Sequence, residues 1–154
     1  MTGVNHVVTG GIIGALLPQP LLAIPLAFLS HFILDMLPHY GNHPDDHLTT
    51  SPNLHRLIWV DTFLGAAFLA MLIIWQPVNW VVIFFAGAFA QVPDLVWLPN
   101  YVRLRRGLKQ RTYNSLMRFH KYIQWAEKPK LFNIMVEGAW LVVATTVFFR
   151  IAQF

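Results

Sequence analysis

The chain has 154 residues, of which 56% are hydrophobic and 12% are charged, and its formal net charge is +4. Soluble domains contain about 25% charged residues, so a soluble fold of this size could not cover so much apolar surface. The sequence has no cysteine, which excludes disulfides and thiolate metal sites. The composition predicts an integral membrane protein.

Five apolar segments follow one another along the chain. They cover residues 7–17, 21–37, 54–75, 78–97 and 131–149. A helix needs about 20 residues to cross the hydrocarbon core of a bilayer, and the last three segments have that length. The first two are shorter and contain or adjoin Pro18, Pro20 and Pro25, which makes them candidates for a hairpin that enters the bilayer without fully crossing it. The predicted fold is all-α: a polytopic membrane bundle of about five segments, forming a single domain over residues 1–154.

The basic residues are concentrated in the stretch 98–130. It holds nine of the eleven Lys and Arg residues, the other two being Arg56 and Arg150. Positive loops stay in the cytoplasm, so we expect this stretch, the N-terminus and the loop 39–53 to be cytoplasmic, in an inner-membrane protein. The stretch is either a basic helix lying at the lipid headgroups or a solvated loop that fixes topology. Nucleic-acid binding is not expected, because membrane insertion accounts for the same charges.

The second apolar segment ends in three ligand-type side chains, His31, Asp35 and His39, each four residues from the next. We call them the HDH row. Such positions share one face of a helix, subject to distortion of the last turn by Pro38. An imidazole and a carboxylate one turn apart can bind a divalent cation. The row therefore predicts a metal site at the end of this segment.

Ionisable residues are costly inside a membrane and usually mark function. Further ones occur in the other apolar segments and in the basic stretch, at His6, Asp61, Asp94, His120 and Glu137. The alternating topology puts all of them near the cytoplasmic side, so we expect them to join the HDH row as metal ligands. Nitrogen and oxygen donors without sulfur favour zinc, with Mn, Fe or Mg as alternatives, and the size of the set suggests two or more ions. Asp61, Asp94 and Glu137 are also candidates for a catalytic general base.

Structural alternatives remain open for several of these residues. Asp61 and Glu137 could instead form hydrogen bonds to a neighbouring helix, and Asp94 could cap a turn that begins at Leu95. The loop acids and histidines are either extra ligands or solvated side chains; they are His43, Asp45, Asp46 and His47. His55 and Arg56 begin the third segment at the interface, where they are candidates for contact with a substrate phosphate.

The stretch LSHFILDMLPH, preceded by a first segment that carries His6, resembles the YdjM-like group of small integral-membrane proteins, which are predicted metal-dependent hydrolases. It is also similar to the HxxxD…H helix of zinc-dependent phospholipase C, whose site holds several zinc ions. The resemblance is best over residues 1–65 and implies His6 and the HDH row as ligands. The group often carries a His-Arg-Gly-x-x-His-Ser element. Here the nearest stretch is HRLIWVD, so either Asp61 replaces a ligand or the site is degenerate.

These observations predict a membrane-embedded, metal-dependent hydrolase. We expect it to act on a phosphoester, as a small-molecule or lipid-type substrate, at the cytoplasmic interface, with membrane lipid as its partner. The alternatives are a metal-ion or proton transporter that uses the same side chains, and a non-catalytic membrane scaffold. The sequence does not indicate the oligomeric state.

Overall fold

The computed structural model describes residues 1–41, 52–109, 111–128 and 130–152. Within these ranges the predicted all-α class is confirmed, since the only strand-like feature is one isolated bridge between His39 and Glu127. The helices are α1 (Gly3–Leu16), α2 (Pro20–Asp35), α3 (Pro52–Trp75), α4 (Trp80–Gln91), α5 (Leu98–Arg105), α6 (Ser115–Ile123) and α7 (Leu131–Ile151). A 3-10 segment, Val92–Trp97, joins α4 to α5.

Three helical stretches are long and apolar enough to cross a membrane. They are Arg56–Trp75, Trp80–Arg105 and Leu131–Ile151. Large apolar side chains such as Trp59, Phe63 and Ile74 on α3 are exposed, which is the expected surface of a helix that faces lipid rather than water. These features support a membrane protein.

The two short helices α1 and α2 are joined at residues 17–19, next to Pro20. They have 14 and 16 residues, which at about 1.5 Å per residue is less than the roughly 30 Å thickness of the hydrocarbon core. Helix α1 lies inside the bundle, in contact with α2, α3, α4 and α7. Its buried Val7 packs in a core with Leu72, Ile83 and Phe148, so α1 is surrounded by the longer helices.

Glycines let α1 approach α4 closely. A Cβ atom at Gly10 would lie 2.5 Å from the Ala86 carbonyl oxygen, and one at Gly14 would lie 2.7 Å from the Ile83 Cα atom. Helices in membranes associate largely by such close packing of small residues. This contact holds the end of α4, and the 3-10 segment after it, beside α1 and α2.

Replacing Gly10 with alanine is expected to lower stability by about 1–3 kcal/mol, because the added methyl group overlaps backbone atoms of α4. Thermal unfolding in detergent micelles measures the effect. Gly138→Ala in α7 is the matched control, since a Cβ there meets nothing within 4 Å and alanine favours the helix. The control should unfold at the wild-type temperature or above it. Equal unfolding temperatures for the two variants would contradict the close contact.

The functional residues converge at one end of this bundle. Helix α2 ends there at Asp35, α1 begins there, and the 3-10 segment lies after α4. Pro93 in that segment has no N–H to donate to the α-helical ladder, which favours a break from α-helix to a tighter turn at this point. Helix α6 contacts both α2 and the 3-10 segment and so completes the end of the bundle.

Candidate metal centre

Four side chains from three elements form one group, which we call the four-residue cluster: His31 and Asp35 from α2, Asp94 from the 3-10 segment, and His120 from α6. Each offers one ligand atom, and these atoms all lie within 4.8 Å of one another. Three of the four residues are fully buried, and Asp94 is partly exposed. The cluster could hold a metal ion, so the structure brings together four of the residues that the sequence singled out.

The distances in the cluster suit a small divalent ion. A tetrahedral ion with ligand bonds of about 2.0 Å separates its donor atoms by about 3.3 Å. The His31 Nε2 atom lies 3.1 Å from Asp35 Oδ2 and 3.5 Å from Asp94 Oδ1. Two carboxylates and imidazole nitrogen are hard to borderline donors, which suits Zn, Mn, Fe or Mg. The residues present therefore fit a metal ion.

His31 is oriented by the backbone of α4. Its Nδ1 atom lies 2.8 Å from the Ala90 carbonyl oxygen. A carbonyl can only accept, so Nδ1 carries the proton and donates it, leaving the lone pair on Nε2. Metal-binding histidines commonly donate their second N–H to a backbone carbonyl in this way. His31 is thus held in the tautomer that a metal ligand requires.

His120 has polar neighbours on both sides of its ring. The Trp97 indole donates its Nε1–H to His120 Nδ1 at 3.1 Å. On the other side of the ring, His120 Nε2 lies 2.7 Å from Asp35 Oδ2, and the Gln124 amide donates to the same oxygen at 3.2 Å. Trp97 and Gln124 were not among the residues that sequence reasoning identified. Gln124 lies one helical turn after His120, and this spacing is the sequence signal that could have identified it.

His6 also contacts the cluster. Its ring stacks on His31 with centroids 3.9 Å apart, and its Nε2 lies 3.1 Å from Asp35 Oδ1. Although His6 is fully buried, neither ring nitrogen has a hydrogen-bond partner among the described residues. The Met1 amino group also pairs with Asp35 Oδ1, so this carboxylate already attracts a positive charge. Asp35 Oδ1 is therefore already paired with a positive charge, and His6 is a buried imidazole beside it.

Asp61 on α3 and Glu137 on α7 are not part of the four-residue cluster, and both contact the start of α1. Asp61 accepts hydrogen bonds from the backbone N–H groups of Gly3 and Val4, both at 2.8 Å. Glu137 accepts from the N–H of Thr2 at 2.6 Å. The first N–H groups of a helix have no partners within the helix and favour negative charge. The structure therefore places these acids as caps, in agreement with the structural alternative.

His39 does not continue the face of α2, because the helix ends at Asp35, three residues before Pro38. The residue before a proline is disfavoured in helical conformation, which explains the early end. His39 Nδ1 donates to the Leu37 carbonyl at 2.8 Å, while its buried Nε2 has no hydrogen-bond partner in the described part of the chain. Burial lowers the pKa of His39 to about 4, so the ring is neutral near pH 7.

Glu127 was missed by sequence reasoning, although it is the one acid in the stretch 98–130. Its backbone pairs with that of His39, and its Oε2 atom is buried with no hydrogen-bond partner within the described ranges. Burial raises the pKa of Glu127 to about 7. A single carboxylate among many cations was the signal that could have identified it.

Replacing Glu127 with glutamine in ion-free protein is expected to raise stability only at higher pH. The folded state holds the proton up to about pH 7, whereas a glutamate in the unfolded chain loses it near pH 4.5, so wild-type stability falls as the pH rises between these values. The unfolding temperatures of variant and wild type should agree near pH 4.5 and differ most near pH 8. Lys128→Gln, at an exposed neighbour, should show no such pH-dependent difference. A constant difference for Glu127→Gln would contradict the shift.

The remaining sequence candidates do not enter the cluster. The Arg56 side chain is exposed at the start of α3. His43, Asp45, Asp46 and His47 lie outside the described residues, as does the side chain of His55.

Comparison with other proteins identifies no relative of this chain. No protein-family model, no curated protein and no solved structure matches the chain. Any functional assignment therefore depends on the residues of this chain and their geometry.

Proposed function

We propose that this protein is a membrane-embedded, metal-dependent hydrolase that acts on a phosphoester of the lipid type. The observation that carries the proposal is the four-residue cluster, whose ligand atoms from three separate elements lie within 4.8 Å of one another. Zinc is the favoured ion, with Mn, Fe and Mg as alternatives.

The charge of the cluster supports a cation. Asp35 is fully buried, and Asp94 faces His31 at 3.5 Å, so two carboxylates share a small space away from bulk water. Buried charges are costly unless they are paired or bind a metal. The Met1 amino group pairs with Asp35 Oδ1, and a divalent ion would neutralise the remaining charge of the two carboxylates.

The chemistry follows from the ligand types. A bound divalent ion would supply Lewis acidity to a phosphoryl oxygen and activate a water for attack. Asp94, with a third of its side chain exposed, lies at the accessible side of the cluster. It is the residue best placed to hold the substrate side of the site or to accept a proton. The side chains of His31 and Asp35, in contrast, are fully buried.

Helix α6 supports a substrate at the membrane surface. Its Met117, His120 and Ile123 face inward and are buried, while Phe119 and Tyr122 are exposed. The exposed side also carries Arg118. Aromatic residues mixed with cations are typical of helices at the lipid headgroups, where a phosphate group would lie next to the cluster. The concentration of cations in the stretch 98–130 favours the cytoplasmic side of an inner membrane.

The test uses full-length protein purified in detergent without chelator. We expect elemental analysis to find a divalent metal in stoichiometric amount, and we expect the protein to release phosphate or a phosphorylated headgroup from vesicles that contain phospholipid. Protein without any bound ion, also after incubation with Zn²⁺ or Mn²⁺, would refute the proposal. Metal flux into proteoliposomes without hydrolysis would favour a transporter instead.

A further inference from the structure

We propose that His120 does not bind the ion but is a positioning residue that donates its Nε2–H to the ligand carboxylate of Asp35. The ion would then be held by His31, Asp35 and Asp94. This rests on the proposed function for the presence of an ion, whereas the position of the proton on His120 follows from its contacts with Trp97 and Asp35.

Trp97 sets the tautomer of His120. An indole N–H can only donate, and Trp97 donates it to His120 Nδ1 at 3.1 Å. The Nδ1 lone pair is therefore used, and no proton can occupy that nitrogen. The neutral imidazole must then carry its proton on Nε2, the atom that faces the cluster. A metal ligand would need a lone pair there instead.

The contact between the two histidines agrees with this assignment when His31 is neutral. His31 Nε2 and His120 Nε2 lie 3.1 Å apart, so one of the two atoms must carry a hydrogen. His31 has its proton on Nδ1, because that atom donates to the Ala90 carbonyl at 2.8 Å. With a neutral His31, the hydrogen between the rings comes from His120. Two bare nitrogens at this distance would repel each other.

The shortest contact of His120 within the cluster is the one to Asp35. His120 Nε2 lies 2.7 Å from Asp35 Oδ2, the length of a hydrogen bond to a carboxylate. This is shorter than the separation of about 3.3 Å between two ligands of one tetrahedral ion. His31 Nε2, at 3.1 Å from the same oxygen and 3.5 Å from Asp94 Oδ1, fits the ligand separation.

This assignment decides whether the site is open. Four protein ligands would fill a tetrahedral zinc site, which is typical of structural zinc. Three protein ligands leave one position for water or substrate, which is typical of catalytic zinc. A hydrogen bond to a ligand carboxylate orients it and is the kind of outer contact that tunes a metal site. His120 would therefore keep the site open while fixing Asp35.

Side-chain nitrogen NMR tests the proton position directly. The full chain, labelled with ¹⁵N-histidine in detergent micelles, is compared without metal and with added ¹¹³Cd²⁺, using His31→Gln and His120→Gln to assign the signals. We expect His120 to be protonated on Nε2 in both states and without coupling to ¹¹³Cd. We expect His31 to be protonated on Nδ1 and to show coupling to ¹¹³Cd at Nε2. Coupling to ¹¹³Cd at His120 Nε2, or a proton on His120 Nδ1, would overturn the inference.

Two substitutions extend the test to binding. His120→Gln retains an N–H donor and should keep stoichiometric Cd²⁺ with affinity lowered by about 10–100-fold, as for other outer contacts, while His31→Gln should lose the ion. Equal loss in both variants would overturn the assignment. Trp97→Phe removes the indole donor, and we expect a fraction of His120 to move its proton to Nδ1. If wild-type protein binds no Cd²⁺, the proposed function fails, but the proton position in ion-free protein still decides the inference.

Discussion

Replacing Asp35 with asparagine is expected to remove the bound ion and to lower hydrolysis by about 10³-fold, since metal ions supply several kcal/mol of transition-state stabilisation. Ring nitrogens of His6, His31 and His120 all lie within 3.1 Å of the Asp35 carboxylate oxygens. Asparagine keeps the shape but lacks the charge. Elemental analysis and phosphate release from phospholipid vesicles measure the two effects.

Asp94→Asn is the companion to that experiment, because Asp35 is fully buried and its replacement also perturbs folding. The Asp94 side chain is one-third exposed, so its substitution should cost little stability while still weakening the binding of the ion. We expect both variants to lose metal, and only Asp35→Asn to unfold at a clearly lower temperature. Wild-type metal content in both folded variants would rule out the four-residue cluster as the ion site.

Replacing Asp61 with asparagine should have the opposite pattern: retained metal and a stability loss of about 2–3 kcal/mol. Its two carboxylate oxygens accept the N–H groups of Gly3 and Val4 at 2.8 Å each, and asparagine can accept only one of them. The second N–H would then face an amide donor. Thermal unfolding and elemental analysis of the same preparation measure both properties.

Thr62→Ala, at the exposed neighbouring position on α3, is the control for Asp61→Asn and should change neither property. The contrast between Asp61→Asn and Asp94→Asn separates capping from ligation. Loss of the ion in Asp61→Asn with an unchanged unfolding temperature would return Asp61 to the set of ligands. The α1 cap would then have to be held by Glu137 alone.

Part of the site could be predicted because it depends on local spacing. His31 and Asp35 lie one helical turn apart, so any helix over this segment places them on one face. Asp94 and His120 could be predicted as candidates because polar groups inside an apolar environment require a partner. That argument identifies residues that need a partner, but it does not identify the partner.

Asp61 and Glu137 show this limit. Both lie about two turns into long apolar helices, at the depth expected for the site, and sequence reasoning grouped them with the ligands. In the structure both acids accept hydrogen bonds from backbone N–H groups at the start of α1. These N–H groups lack partners within the helix, so they compete with a cation for the carboxylates. The sequence predicts how deep a residue lies along the membrane normal. It does not predict which helix lies next to that residue, and the neighbouring helix determines its hydrogen-bond partner.

The sequence by itself determined the all-α membrane class and the pairing of His31 with Asp35, because composition and helical periodicity are properties of the chain alone. Only the tertiary structure decided that α1 lies inside the bundle, that Asp94 and His120 lie near Asp35, and that the Glu127 Oε2 atom is buried. It also placed the Ala90 carbonyl against His31 Nδ1 and the Trp97 indole against His120 Nδ1. The physical reason is that hydrogen bonds and ion pairs act over about 3 Å, so they depend on packing between segments far apart in sequence.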